Sequence, residues 1–258
     1  MDRDIRSFCT LLLKKTIAVL LCNTLFSVTF VHAHKTNEEI IRVGLLPEDY
    51  PPLFWVNENK GIVKDILNAV SENSRFEFEY FYYPFNRLIS KVISNELDVE
   101  TWTSAAWRKK YKQHTYFTKP IAKHCEVTVF RKGESFNTPS PGSMTGKRLG
   151  VVQNYTFPSF EPLFADRSIY RADAKNERGV LKMLAYMRTD LALMDRTIAS
   201  YLLRHHFQNQ FETGSVFDCV PITFMFHKNK EQQGKEIDKV LQKLKRDGVI
   251  EKIINMYQ

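Results

Sequence analysis

The chain is short of the residues that force special architectures. Four cysteines among 258 residues are too few for a small fold stapled by disulfides, and no His/Cys grouping has a zinc-ligand spacing. No short repeat or coiled-coil heptad runs through it, which excludes solenoids and long zippers. Its basic residues, net +8 at pH 7, are scattered rather than gathered into a block with interleaved aromatics, so a nucleic-acid partner is not expected. What is present is ordinary for a globular protein: 43% hydrophobic and 13% aromatic residues. That is enough for one large or two small domains.

The first 33 residues stand apart. Arg3, Arg6, Lys14 and Lys15 precede an apolar run from Thr16 to Val31 that closes on Val31, His32 and Ala33, the layout of a cleaved secretory signal. Asn23, Thr24, Ser27 and Thr29 interrupt the run, which makes it a poor membrane anchor. Leu21 before Cys22 is too bulky for a lipid-attachment site. Cleavage after residue 33 would remove four basic residues and two acidic ones, Asp2 and Asp4, and leave a mature chain of charge +6. It would also remove Cys9 and Cys22 and leave Cys125 and Cys219 in an oxidising compartment, where one bridge and two separate buried thiols are both compatible with the sequence.

Beyond residue 33 the pattern alternates. Ile40 to Leu46 has strand length and leads into a loop with Tyr50, Pro51 and Pro52; Gly61 to Asn73 is an amphipathic helix; Phe76 to Tyr82 is a strand and Phe85 to Asn95 a second helix. Leu97 to Thr103 supplies a third strand, predicted to run into a short helix capped by Ser104. After Pro120, Glu126 to Arg131 is a strand and Lys132 to Lys147 a polar surface loop. A second series follows: strands at 148–152, 168–172 and 190–194, helices at 158–165, 176–187 and 196–206, a strand from Asp218 to His227, and two closing helices at 233–247 and 249–257. Such units imply parallel strands with helices packed on them, in two α/β lobes. Ligands in such sheets sit beyond the strands' carboxyl ends. Tyr50, the stretch Thr101 to Arg108, and Asp195 after Leu191 to Met194 all fall there.

Arg108 is the most suggestive of these, because a guanidinium fork fits the two oxygens of a carboxylate. Its neighbours Lys109, Lys110 and Lys112 are ordinary solvated charges. Thr103 and Thr156 would serve equally as turn hydroxyls, and Asp195 as a helix N-cap.

The segments EDYPPLFW, GIVKDILNAV, PFNRLISKVISNELDVETWTSAAWR, FTKPI, GKRLGVVQNYT, TDLALMD and KRDGVIEKIINMY together resemble the bacterial extracellular solute-binding proteins of family 3, the periplasmic and mostly amino-acid-binding components of ABC importers. The resemblance spans the chain beyond residue 33. It implies a two-lobe type II periplasmic binding protein with two hinge strands and a cleft between the lobes. The expected division is a signal peptide at 1–33, a first lobe at 34–121 and 224–258, and a second lobe at 122–223, with crossings near Ile121 and Thr223.

In that family an arginine at the position of Arg108 clamps the ligand carboxylate. The resemblance assigns Thr103 the hydroxyl beside it, Thr101 a carbonyl facing the ligand ammonium, Thr156 a second-lobe donor to the carboxylate, Asp195 the acid for the amino group and Tyr50 an aromatic cover. Asn154 stands where the family usually has glycine, a substitution the left-handed conformation tolerates. Trp102 and Trp107 flank the clamp, as core or as pocket rings. The expected protein is a periplasmic monomer that captures a small zwitterion for a membrane ABC permease, with no cofactor, metal or catalytic residue. Two alternatives come from other classes. One is a prephenate dehydratase-like enzyme on the same scaffold, for which His114 and His124 are the candidate acids. The other is a soluble ligand-loaded partner of a membrane sensor.

Overall fold

The structure, a computed structural model, describes residues 38–258; the expected signal peptide lies outside them. Strand β1 (Glu39–Leu45) is followed by α1 (Ile62–Glu72), β2 (Phe76–Tyr82), α2 (Phe85–Ile93) and β3 (Val99–Thr103). β1 lies between β2 and β3 and pairs with both in parallel. The apolar stripe of α1, Ile62, Val63, Ile66, Leu67 and Val70, is buried on this sheet. Its entry needs glycine: Gly61 has φ 114°, and a Cβ there would lie 2.6 Å from the Leu53 carbonyl oxygen. The Lys64 Nζ donates to the carbonyls of Trp55 (2.5 Å) and Glu58 (2.8 Å), which pins the loop that carries Tyr50.

The second series repeats the scheme. β6 (Arg148–Val152) lies between β7 (Tyr170–Ala174) and β8 (Leu191–Asp195), parallel to both. The helices α3 (Glu161–Ala165), α4 (Glu177–Ala185) and α5 (Arg196–His205) belong to it. β5 (Ala122–Arg131) pairs antiparallel with β8 and with β9 (Phe211–His227). β9, at 17 residues, pairs through its N-terminal part with β5 and through its C-terminal part with β3 and with β4 (Thr115–Phe117), so one strand belongs to both halves. The other crossing lies beside it, with the Ile121 amide donating to the Ile222 carbonyl at 2.9 Å. α6 (Glu231–Arg246) and α7 (Val249–Asn255) then return to the first half. There the Tyr257 hydroxyl donates to Asp65 (2.6 Å) and accepts from the Gly61 amide (2.9 Å).

Several elements differ from expectation. No helix capped by Ser104 follows β3. Residues 104–108 turn instead, with the Ser104 hydroxyl accepting from the Ala106 amide, and a 3-10 helix occupies Lys109–His114. The strand expected from Asp218 begins at Phe211, because its N-terminal part is half-exposed and lacks an apolar run. The helix expected from Pro158 begins at Glu161, with Pro162 in its first turn, where the missing N–H costs nothing. The polar loop 132–147 is anchored: Thr138 and Met144 in it are fully buried. Asn154 adopts φ 64°.

Candidate functional site

A cavity of about 300 Å³ opens at the carboxyl ends of β1, β3 and β6. That is the lower end of the roughly 300 to 1,000 Å³ usual for small-molecule sites. Tyr50, Thr101, Trp102, Trp107, Arg108 and Thr156 line it. Thr103 and Asp195 are buried behind its wall rather than on it. The lining that sequence reasoning missed includes Glu100, Glu126 and Tyr155; Phe85 also lies on it.

A β-bulge shapes the first-half wall. The β3–β9 register shifts between Glu100 and Thr103, and Trp102 sits at φ 51°. A bulky side chain in the left-handed region stores roughly 1 to 3 kcal/mol of strain, and bulges commonly re-aim side chains next to sites. Here the bulge puts Glu100, Thr101 and Trp102 all on the cavity. Arg108 then meets Glu100: Nε donates to Oε2 at 3.0 Å and an Nη to Oε1 at 2.5 Å. The two residues are 8% and 6% exposed, and the guanidinium lies 5.0 Å over the Phe85 ring. Its fork is therefore filled by a carboxylate of the chain itself, the bidentate geometry a ligand carboxylate would otherwise adopt. The Thr103 hydroxyl has no hydrogen-bond partner among the described residues, while its carbonyl accepts from the Thr223 hydroxyl at 3.1 Å.

The opposite wall is acidic. His124 and Glu126 point to one face of β5 because they are two residues apart, and Asp195 stands directly across from Glu126 on β8. Asp195 caps α5, its Oδ1 accepting from the amides of Thr197 (2.8 Å) and Ile198 (3.0 Å). Its Oδ2 faces His124 Nδ1 at 3.0 Å, and His124 Nε2 faces Glu126 Oε1 at 2.6 Å. Burial opposes a charge on His124, but the hydrogen bond to Glu126 and the charges of Asp195 and Glu126 prevail and raise its pKa. The imidazole ring thus lies between two carboxyl groups that would otherwise face each other. Trp107 packs edge-on against the ring at 4.9 Å. Glu126 is pushed up by burial, and its Oε2 meets no donor among the described residues. His124, one of the two candidate acids, is thereby held on both ring nitrogens; His114, the other, is exposed.

Tyr50 joins the walls. Its hydroxyl donates to Glu177 Oε1 at 2.9 Å and, with that proton committed, accepts from the Tyr155 hydroxyl at 2.8 Å. Burial and the Glu177 charge raise the Tyr50 pKa well above the usual phenol value, and burial raises that of Glu177. Cys125 and Cys219, opposite one another on β5 and β9, form a disulfide.

The chain as a whole is similar to several known proteins. The probable amino-acid-binding protein YxeM of Bacillus subtilis (strain 168) is 22% identical over 229 residues, with 86% of this chain and 85% of that protein covered. The GluR0 ligand-binding core in complex with L-glutamate superposes with TM-score 0.72 at 18% identity, over 85% of this chain and 98% of that one. An ancestral arginine-binding protein bound to arginine gives 0.70 at 20% identity, over 86% and 99%. The VFT2 domain of BvgS from Bordetella pertussis, as a double mutant, gives 0.70 at 19%, over 88% and 94%. The architecture of two strand-helix halves sharing β9, with a cavity at the strand ends, is thus that of the type II periplasmic binding proteins. Residues 41–258 match a single family description throughout: the chain belongs to the bacterial extracellular solute-binding proteins, family 3.

Proposed function

We propose that the protein is a secreted receptor, resident in the periplasm after loss of its signal peptide, that captures a small amino-acid-like solute and delivers it to a membrane ABC permease. One observation carries this reading: a small, aromatic-walled cavity with charged groups on both sides lies at the strand ends of the two strand-helix halves. The proposed lobes are 34–121 with 224–258, and 122–223, hinged where Ile121 and Ile222 are bonded. Tyr50, Thr101, Trp102, Trp107, Arg108 and Thr156 would contact the solute. Thr103 and Asp195 would support it from behind. The family and the amino-acid-binding description of YxeM favour binding and release over turnover, and the chain would act as a monomer.

A thermal-shift screen of the purified chain against amino acids, amines and organic acids tests the reading. A ligand that binds only the folded state must raise the melting temperature, by the equivalent of about 2.7 kcal/mol at a hundredfold excess over Kd. A screen with no shift in any of the three classes would count against it.

A further inference from the structure

A zwitterion held in this cavity would need a free guanidinium on one side and a free carboxylate on the other. Only the second is available among the described residues. The Arg108 fork is filled by Glu100 in a two-point buried pair, and opening it would strand a charge in the wall. Across the cavity, Glu126 is 8% exposed and lines the space; one oxygen is bonded to His124, and the other, itself fully buried in the wall, has no donor among the described residues.

We propose that the cavity selects a small organic ammonium ion bearing N–H donors, seated at Glu126 beside Trp107 and Tyr155, and that no carboxylate on the ligand is required because Glu100 already occupies Arg108.

Three further features fit. The buried acidic side chains around the cavity number four, Glu100, Glu126, Glu177 and Asp195, against the guanidinium of Arg108 and the imidazole of His124. A cation supplies what is lacking, since buried charge is tolerated when paired. Lys110, the other cation on the lining, is exposed and lies over the Tyr111 ring at 4.8 Å, away from the buried acids. The rings of Tyr50, Trp102, Trp107 and Tyr155 provide the negative faces that attract an ammonium group. The volume of about 300 Å³ admits a chain or single ring of modest length.

This inference rests on the solute-receptor reading and narrows its ligand class. Isothermal titration of the full mature chain with matched pairs separates the two. The pairs are putrescine and ornithine, agmatine and arginine, tyramine and tyrosine, with choline as a cation lacking N–H donors. The expected result is that at least one amine binds tenfold or more tighter than its amino acid and than choline. Glu126→Gln should weaken that amine at least tenfold while circular dichroism and melting temperature show an intact fold. If Glu126→Gln does not fold, Trp107→Leu serves as the second variant, with a smaller loss expected. Amino acids binding tighter than their amines would overturn the inference and leave the receptor reading standing. Choline binding as tightly as the amines would overturn the N–H requirement. No binding by any member of the panel, together with a blank thermal-shift screen, would remove both.

Discussion

The two walls of the cavity solve the same problem differently. On the first-half wall a buried cation has been neutralised within the chain: Arg108 and Glu100 satisfy each other at two points. On the second-half wall three buried carboxylates, Asp195, Glu126 and Glu177, share one imidazole, two amides and a phenol. The cation of the first wall is paired at two points within the chain, whereas the second wall retains an unused carboxylate oxygen. An arginine at the expected position is thus no evidence of a ligand carboxylate until its partners are known.

The sharpest way to break the comparison is to remove one member of the closed pair. Arg108→Met should cost about 3 to 5 kcal/mol, because it leaves Glu100 buried without a partner. In a chain of this size that lowers the melting temperature by roughly 10 °C. The double variant Arg108→Met with Glu100→Leu should regain most of the loss. Urea unfolding of both variants measures the difference, and equal destabilisation would mean that the pair is not self-contained.

Next in size is the clasp between β5 and β9. Reducing Cys125–Cys219, or replacing both with serine, should cost about 2 to 4 kcal/mol, since the bridge closes a loop of sequence separation 94. Calorimetry with and without reductant reads this directly. No change would show that the disulfide does not hold the strands that support the acidic wall.

Tyr50→Phe removes the hydroxyl that joins the walls and leaves Glu177 with one hydrogen bond fewer. Hydrogen bonds to charged groups contribute about 1.5 to 3 kcal/mol, so chemical denaturation should show a loss in that range. A loss that vanishes in Tyr50→Phe with Glu177→Gln would place the energy in this contact.

The smallest effect is on pH. The folded-state pKa of His124 is raised, so its contribution is full below about pH 6.5, the value for an unfolded histidine, and is lost as pH rises through the folded value. The melting-temperature advantage of the natural chain over His124→Asn should therefore shrink, by a few degrees, as pH rises above about 6.5. An advantage that grows over this interval would mean that His124 is neutral in the folded chain.

Much of the fold was legible because strand and helix periods alternate cleanly in the first half, where Leu88, Ile89 and Val92 mark the buried face of α2, and again from Arg148 onward. The start of β9 was not, since Phe211 to Cys219 gains its strand character by pairing with β5 rather than from its own apolar pattern. Arg108 was legible as a candidate by type and position. Its partner was not, because Glu100 reaches it only through the bulge at Trp102, and a left-handed tryptophan leaves no mark in the sequence. The His124 and Glu126 spacing of two was visible, but Asp195 enters only through the β5–β8 register. Tyr50 and Glu177 are 127 positions apart and meet only across the cavity.

The most direct measurement is the affinity ratio of agmatine to arginine, taken by titration calorimetry on the natural chain and on Glu100→Gln, which frees the Arg108 fork. Occupation of Arg108 by Glu100 predicts a ratio of at least ten in favour of the amine for the natural chain, and a fall of tenfold or more in the variant as the carboxylate gains a partner. A natural chain that prefers arginine, with a preference unchanged by Glu100→Gln, would contradict it.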